Sequence, residues 1–190
     1  MLSFSLFSEA WITKKPDVRS HEVSGTKTYD DPTEFRREAK KIGEVGGLHL
    51  YSSNNAGGGM THYTYHPKDK NIHHVLTSVE NTPTDSGGIR MKYLTAHARK
   101  DSPVRMHQVY SSLIKDHDRT LVGTSHSEGA AKMWHKMHQD PDIDVHGERS
   151  DGSRVELNKE QPMHASTETK DPTEKKIGQM ALVAHRKSGE

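Results

Sequence analysis

IRMKYLTAHARKDSPVRMHQVYSSLIKDHDRTLVG, residues 89–123, changes its hydrophobic spacing twice, and those changes decide the fold. Residues 89–98 read as a strand. From Ser102 to Asp118 the spacing is helical: Val104, Met106, Val109, Tyr110, Leu113 and Ile114 fall mostly on one face. Ser102 is placed to cap that helix and Pro103 to occupy its first position. RTLVGTS (119–125) reads as a short apolar strand, and SEGAAKMWHKMHQD (127–140) returns to helical spacing behind a Ser127 cap. Ala130, Met133, Trp134 and Met137 face inward there, which makes Trp134 a core anchor. Strand, helix, strand, helix in succession predicts an α/β fold.

Towards the N-terminus, LHLYSS (48–53), MTHYTYH (60–66) and NIHHVLTSVE (71–80) read as strands. With 89–98 they predict an antiparallel meander, interrupted by loops at 54–59, 67–70 and 81–88. Ahead of them, Asp31, Pro32 and Glu34 carry the signature of a helix start, so a helix is expected from about Pro32 to Ile42, stopped by Gly43 or Gly46-Gly47. Residues 13–30 read as a polar linker and 1–12 as a short amphipathic leader. Towards the C-terminus, 143–157 predicts a strand, a turn at 150–152 and a returning strand. Residues 158–176 read as a loose loop, and GQMALVAHR (178–186) as a last strand expected at a sheet edge. The division is thus an arm over 1–47 and a domain over 48–190.

Composition narrows the class. The chain has 190 residues, and Leu, Ile, Val and Phe together make 31 of them, about 16%. A formal charge of +1 removes the high net charge that accompanies disorder, and argues against a dedicated nucleic-acid binder. No apolar run reaches the roughly 18 residues of a membrane span. Absence of cysteine excludes disulfides, thiolate metal sites and a cysteine nucleophile. Histidine is the anomaly: with all 15 protonated the formal charge would rise from +1 to +16. That suggests a pH sensor or metal binder on one reading and general surface use on the other; the scatter of the histidines favours the second.

The element order and the stretch YLTAHARKDSPVRMHQVYSSLIKDHDRTLVGTSHSEGAAKMWHKM (93–137) resemble the GNAT acyltransferase superfamily, over about Leu48 to Leu157. The resemblance implies a mixed, largely antiparallel sheet flanked by helices, with an extended N-terminal arm. Leu121, Val122, Ser125, Ser127, Gly129, Ala130 and Trp134 look more particularly like the acetyltransferase-like proteins of tailed phages. MLSFSLFSEA is similar to the leaders of phage internal head proteins, with Phe7-Ser8-Glu9-Ala10 as a cleavage site. These resemblances imply transfer of an acetyl group from acetyl-CoA to an amine, in the host cytoplasm. The alternative they imply is a non-catalytic virion protein that docks on capsid or head proteins through residues 1–47.

The resemblance also implies site residues. The cofactor would lie along Leu94 and Ala96 of the strand and on the turn 98–106, where Arg99, Lys100 and Arg105 meet phosphate charge. Backbone N–H groups of Val104, Arg105, Met106 and His107 would complete the anion site at the helix start. This turn lacks the glycines of the family's Arg/Gln-x-x-Gly-x-Gly/Ala pattern, carries the opposing charge of Asp101, and loses a donor at Pro103. The same residues also make an ordinary capped helix start. Trp134 stands where the family has a tyrosine acid, and indole cannot protonate a leaving thiolate. His135 or Ser125 is then the candidate acid and His97 the candidate base. His135 with His138, and His62 with His66, are spaced to share a face, but no established metal motif occurs and no metal is expected.

Overall fold

The computed structural model describes residues 38–54, 58–92, 94–123, 128–157 and 180–187. In chain order these contain β1 (Lys40–Val45), β2 (Leu48–Asn54), β3 (Met60–His66), β4 (Asn71–Thr77), β5 (Glu80–Pro83), β6 (Ile89–Lys92) and β7 (Thr95–Ala98). Then follow α1 (Met106–His117), β8 (Arg119–Gly123), α2 (Glu128–His138), β9 (Ile143–Glu148), β10 (Arg154–Val155) and β11 (Ala181–Arg186). The fold is α/β, with two open sheets of order β1-β2-β3-β4-β7 and β10-β9-β11-β8-β6-β5. Every strand pair is antiparallel except β6 with β8.

One apolar core joins the layers. Leu48, Leu50 and Leu76 of the first sheet meet Leu121, Ile143, Val145, Leu182 and Ala184 of the second around Val109, Tyr110, Leu113 and Ile114 of α1. Trp134 and Met137 of α2 belong to the same core, as their spacing predicted. The strands expected at 48–53, 60–66 and 71–80 form the antiparallel run β2-β3-β4, and 143–157 folds as β9 and β10.

Four expectations are corrected. Lys40 to Ile42 lie in β1, not in a helix, while residues 32–37 of that expected helix lie outside the described residues. The cause is Gly46-Gly47: both have positive φ (53° and 80°), the two-residue hairpin geometry that turns β1 back onto β2 instead of ending a helix. Glu80–Pro83, expected to be mostly loop, is an edge strand on β6, a position where proline is tolerated. The strand expected over 89–98 is two strands in different sheets, β6 and β7. The last strand is not at an edge: β11 lies between β9 and β8, which explains its apolar run, since Leu182, Val183 and Ala184 are all buried. The expectations for residues 1–30 and 158–176 lie outside the described residues.

Candidate functional site

The split between β6 and β7 is the distinctive place in this fold. β6 runs parallel to β8, with Ile89 opposite Arg119 and Met91 opposite Leu121. After Leu94, which packs on the main core, the chain joins the other sheet as β7. β7 pairs with β4 alone, so its outer edge has no strand partner among the described residues. In its register Ala96 faces Leu76 and Ala98 faces His74. Leu76 and His74 are buried on that side, whereas Ala96 and Ala98 are exposed. Successive strand residues alternate faces, so His97 shares the opposite face with Val75 and Tyr63.

From β7 the chain turns into α1. The Arg99 backbone N–H donates to the carbonyl of His73 (2.8 Å), which holds the turn against β4. The Arg99 guanidinium forks onto Asp101, with Nε and Nη2 at 2.9 and 2.6 Å from its two oxygens. That hydrogen-bonded charge holds the Asp101 carboxyl down at about 2. Arg99, expected to meet phosphate, is thus already occupied by the one acidic residue in the turn. Lys100 and Arg105 are exposed.

The helix begins three residues later than its sequence suggested. Ser102 does not cap it; its Oγ accepts from the N–H of Val104 (3.3 Å) in a local turn. Arg105 is the N-cap, and because a guanidinium has no acceptor it offers no side-chain cap. Its own N–H donates to Gln108 Oε1 (2.8 Å). Two of the four expected anion donors, Val104 and Arg105, are therefore committed; Met106 and His107 have no backbone N–H partner among the described residues. His107 is half-buried, and burial, followed by the nearby Lys136 and Arg105, pushes its pKa down.

His74 fastens this turn from below. Its Nε2 lies 3.0 Å from the Val104 carbonyl, which can only accept, so Nε2 carries the proton. Nδ1 then accepts from the Thr64 hydroxyl at 2.6 Å. Burial pushes its pKa down to about 4, so the ring is neutral at pH 7 and both nitrogens are satisfied. The residue was not singled out from sequence, because its partner Val104 is remote in the chain.

Of the three candidate catalytic residues, the structure describes His97 and His135, on different elements. His97 lies on the other face of the first sheet. His135 is on α2, where Nε2 accepts from Gln139 Nε2 (3.0 Å), and its buried Nδ1 has no partner among the described residues. Ser125 lies outside the described residues.

The histidines are not general surface residues throughout: His62, His73, His74, His138 and His146 are buried. His62, on the core-facing side of β3 beside Leu76, has no hydrogen-bond partner for either nitrogen among the described residues. Burial above all, with Arg119 and His117 adding positive charge nearby, takes its pKa down to about 3. His66, spaced to share a face with His62, has its Nδ1 3.2 Å from Asp69 Oδ2 at the turn after β3. No protein-family model, curated protein or solved structure matches the chain.

Proposed function

We propose that this is a GNAT-type protein whose open β7 edge receives the pantetheine arm of an acyl-CoA, with an amine as acyl acceptor. The observation that carries the reading is the split itself: a parallel pair, β6 and β8, from which β7 departs with one edge unpaired among the described residues. Pantetheine contains two amides, and an amide-bearing chain can add to a free strand edge as another strand would. The small side chains of Ala96 and Ala98 leave room beside that edge. α1 follows at once, offering the Met106 and His107 amides and the positive end of its dipole for phosphate, with Lys100 and Arg105 as added charge. In the transfer the amine nitrogen attacks the thioester carbonyl, the new C–N bond replaces the C–S bond, and the proton that the nitrogen loses balances the one that the departing thiolate takes up.

A second reading, a non-catalytic scaffold that uses the same fold, is favoured by the Arg99–Asp101 fork and by Trp134 lying wholly in the core. In that reading, residues 1–47 would dock the protein to other head or capsid proteins. Calorimetry with acetyl-CoA separates the two. Micromolar binding supports the acyl-CoA reading, and absence of heat at millimolar ligand overturns it in favour of the scaffold.

A further inference from the structure

Asp144 and His146 stand two residues apart on β9 and so share one face of the second sheet, where His185 of β11 lies directly opposite Asp144. His146 Nδ1 and His185 Nε2 each lie 2.9 Å from Asp144 Oδ2. The two imidazoles meet edge to face, with centroids 5.5 Å apart. Arg154 of β10 grips the same carboxylate with both arms: Nη1 is 2.8 Å from Oδ2 and Nη2 2.9 Å from Oδ1.

The proton count at this carboxylate does not close. A carboxylate oxygen offers two lone pairs, yet three nitrogens converge on Oδ2. His185 Nδ1 lies 2.9 Å from the carbonyl of Arg186, which only accepts, so Nδ1 carries the proton. A neutral His185 then presents a bare Nε2 lone pair to an anionic oxygen. Protonating it removes that clash but crowds three donors onto two lone pairs. A cation between the three atoms resolves both problems. The Nδ1–H bond to a backbone carbonyl is also the outer bond that metal-bound imidazoles make, and the Arg154 fork fixes the carboxylate as an outer partner does. Tetrahedral metal–ligand bonds of about 2.05 Å hold their donor atoms about 3.3 Å apart, so the two 2.9 Å separations need open by only about 0.4 Å to admit an ion.

A second convergent group, His66, Asp69 and His73, has neither an arginine on its carboxylate nor an outer bond on the buried His73 Nδ1 among the described residues. Asp69 Oδ1 accepts from the N–H of Asn71 (2.9 Å), and Oδ2 lies 2.9 Å from His73 Nε2 and 3.2 Å from His66 Nδ1. His66 Nδ1 accepts from the Asp69 N–H (3.4 Å) and so also turns a lone pair towards Oδ2, but no third nitrogen crowds that oxygen among the described residues. It serves as an internal control.

We propose that Asp144, His146 and His185 bind a divalent first-row transition ion of the Zn2+ or Co2+ kind. Two imidazole donors select such ions over Mg2+ or Ca2+. His185 is 36% exposed, so the remaining coordination positions face water and the ion can enter. The bound ion would cross-link β9 to the last strand. The inference is independent of the acyl-CoA reading.

The test is Co2+ titration of the full chain, read by visible absorption and by competition with a chelator. Wild type should hold one strong equivalent. His146→Ala and His185→Ala should each weaken it by about 100-fold or more, and His66→Ala should not change it. Zn2+ should also raise the thermal midpoint of wild type and His66→Ala but not of His185→Ala, which shows that the variant is folded when it fails to bind. Equal affinity in all four proteins, absence of a strong equivalent in wild type, or a loss that follows His66→Ala overturns the proposal.

Discussion

The two sheets contribute to the same core with different chemistry. The second sheet presents Leu121, Ile143, Val145, Leu182 and Ala184 to the helices, an unbroken apolar surface. The first sheet sets Ser52, His62, Thr64 and His74 among Leu48, Leu50 and Leu76 on its corresponding face. Apolar burial stabilises at any pH. A buried neutral imidazole stabilises only while it stays neutral, and it costs free energy wherever its nitrogens find no partner. The two halves should therefore fail under different insults: loss of volume on the helix side, and acid on the first-sheet side.

The largest effect is expected on the helix side. Trp134 is 2% exposed and completes the core between α1 and the second sheet. Trp134→Ala should cost roughly 3–5 kcal/mol in chemical unfolding at pH 7. A loss below about 1 kcal/mol would mean that the helix side is not held by packing, and the contrast between the halves would fail.

Acid should expose the first sheet. The folded pKa of His62 is depressed to about 3, while its unfolded value is the ordinary 6.5. Below pH 6.5 the unfolded chain therefore binds a proton that the folded chain does not, so stability falls as pH falls. Its contribution is complete above 6.5 and is lost progressively down to about 3. The slope should approach about 1.4 kcal/mol per pH unit, roughly 3 kcal/mol by pH 4.5. His62→Leu should flatten the urea-unfolding profile by one proton in this window, with His74 supplying a similar remaining slope. An identical pH profile for wild type and His62→Leu would place His62 outside the acid response.

His74→Phe sharpens the comparison by removing a buried histidine that is fully bonded. It leaves the Val104 carbonyl and the Thr64 hydroxyl without their partner, at a cost of about 1–3 kcal/mol at pH 7. Backbone hydrogen exchange should rise at Val104, Arg105 and Gln108, whose N–H groups are bonded within the turn, more than in β9 or β11, because the fastening of the α1 turn is what was lost. A uniform increase across both sheets would contradict that local role.

Period and punctuation made much of this fold legible, and the remainder was hidden for identifiable reasons. Strand alternation marked β2, β3 and β4, and helical spacing with Trp134 marked α2. Spacing carries no information about strand order, so the insertion of β11 between β8 and β9 could not be read from its residues. Gly46-Gly47 serves equally as a helix stop and as a hairpin, and only the pairing of Val45 with Leu48 decides. At the candidate site the turn 99–105 was legible as charge and helix start. The bonds that commit its groups were not: Arg99 to Asp101 depends on side-chain direction, and His74 to Val104 on contact across the fold. The convergence of His185 with Asp144 and His146 was equally invisible, since it is made by strand register.

The smallest effect tests the turn itself. Asp101 and Arg105 are exposed, so their charges act through solvent and are screened. Asp101 matters in two ways, as a negative charge near the α1 N-terminus and as the group that occupies the Arg99 fork. Asp101→Asn removes the charge and frees the guanidinium, so CoA affinity at low salt should rise a few-fold. Arg105→Ala should lower it by a similar factor, and both changes should shrink towards 1 M salt, where the Debye length is about 3 Å. Isothermal titration of wild type and the two variants at low and high salt checks this. Opposite shifts that collapse together with salt place the phosphate end of the ligand at this turn. Equal affinities at every salt concentration would move any binding away from α1, and the Arg99–Asp101 fork would then be a structural clasp that closes the turn after β7.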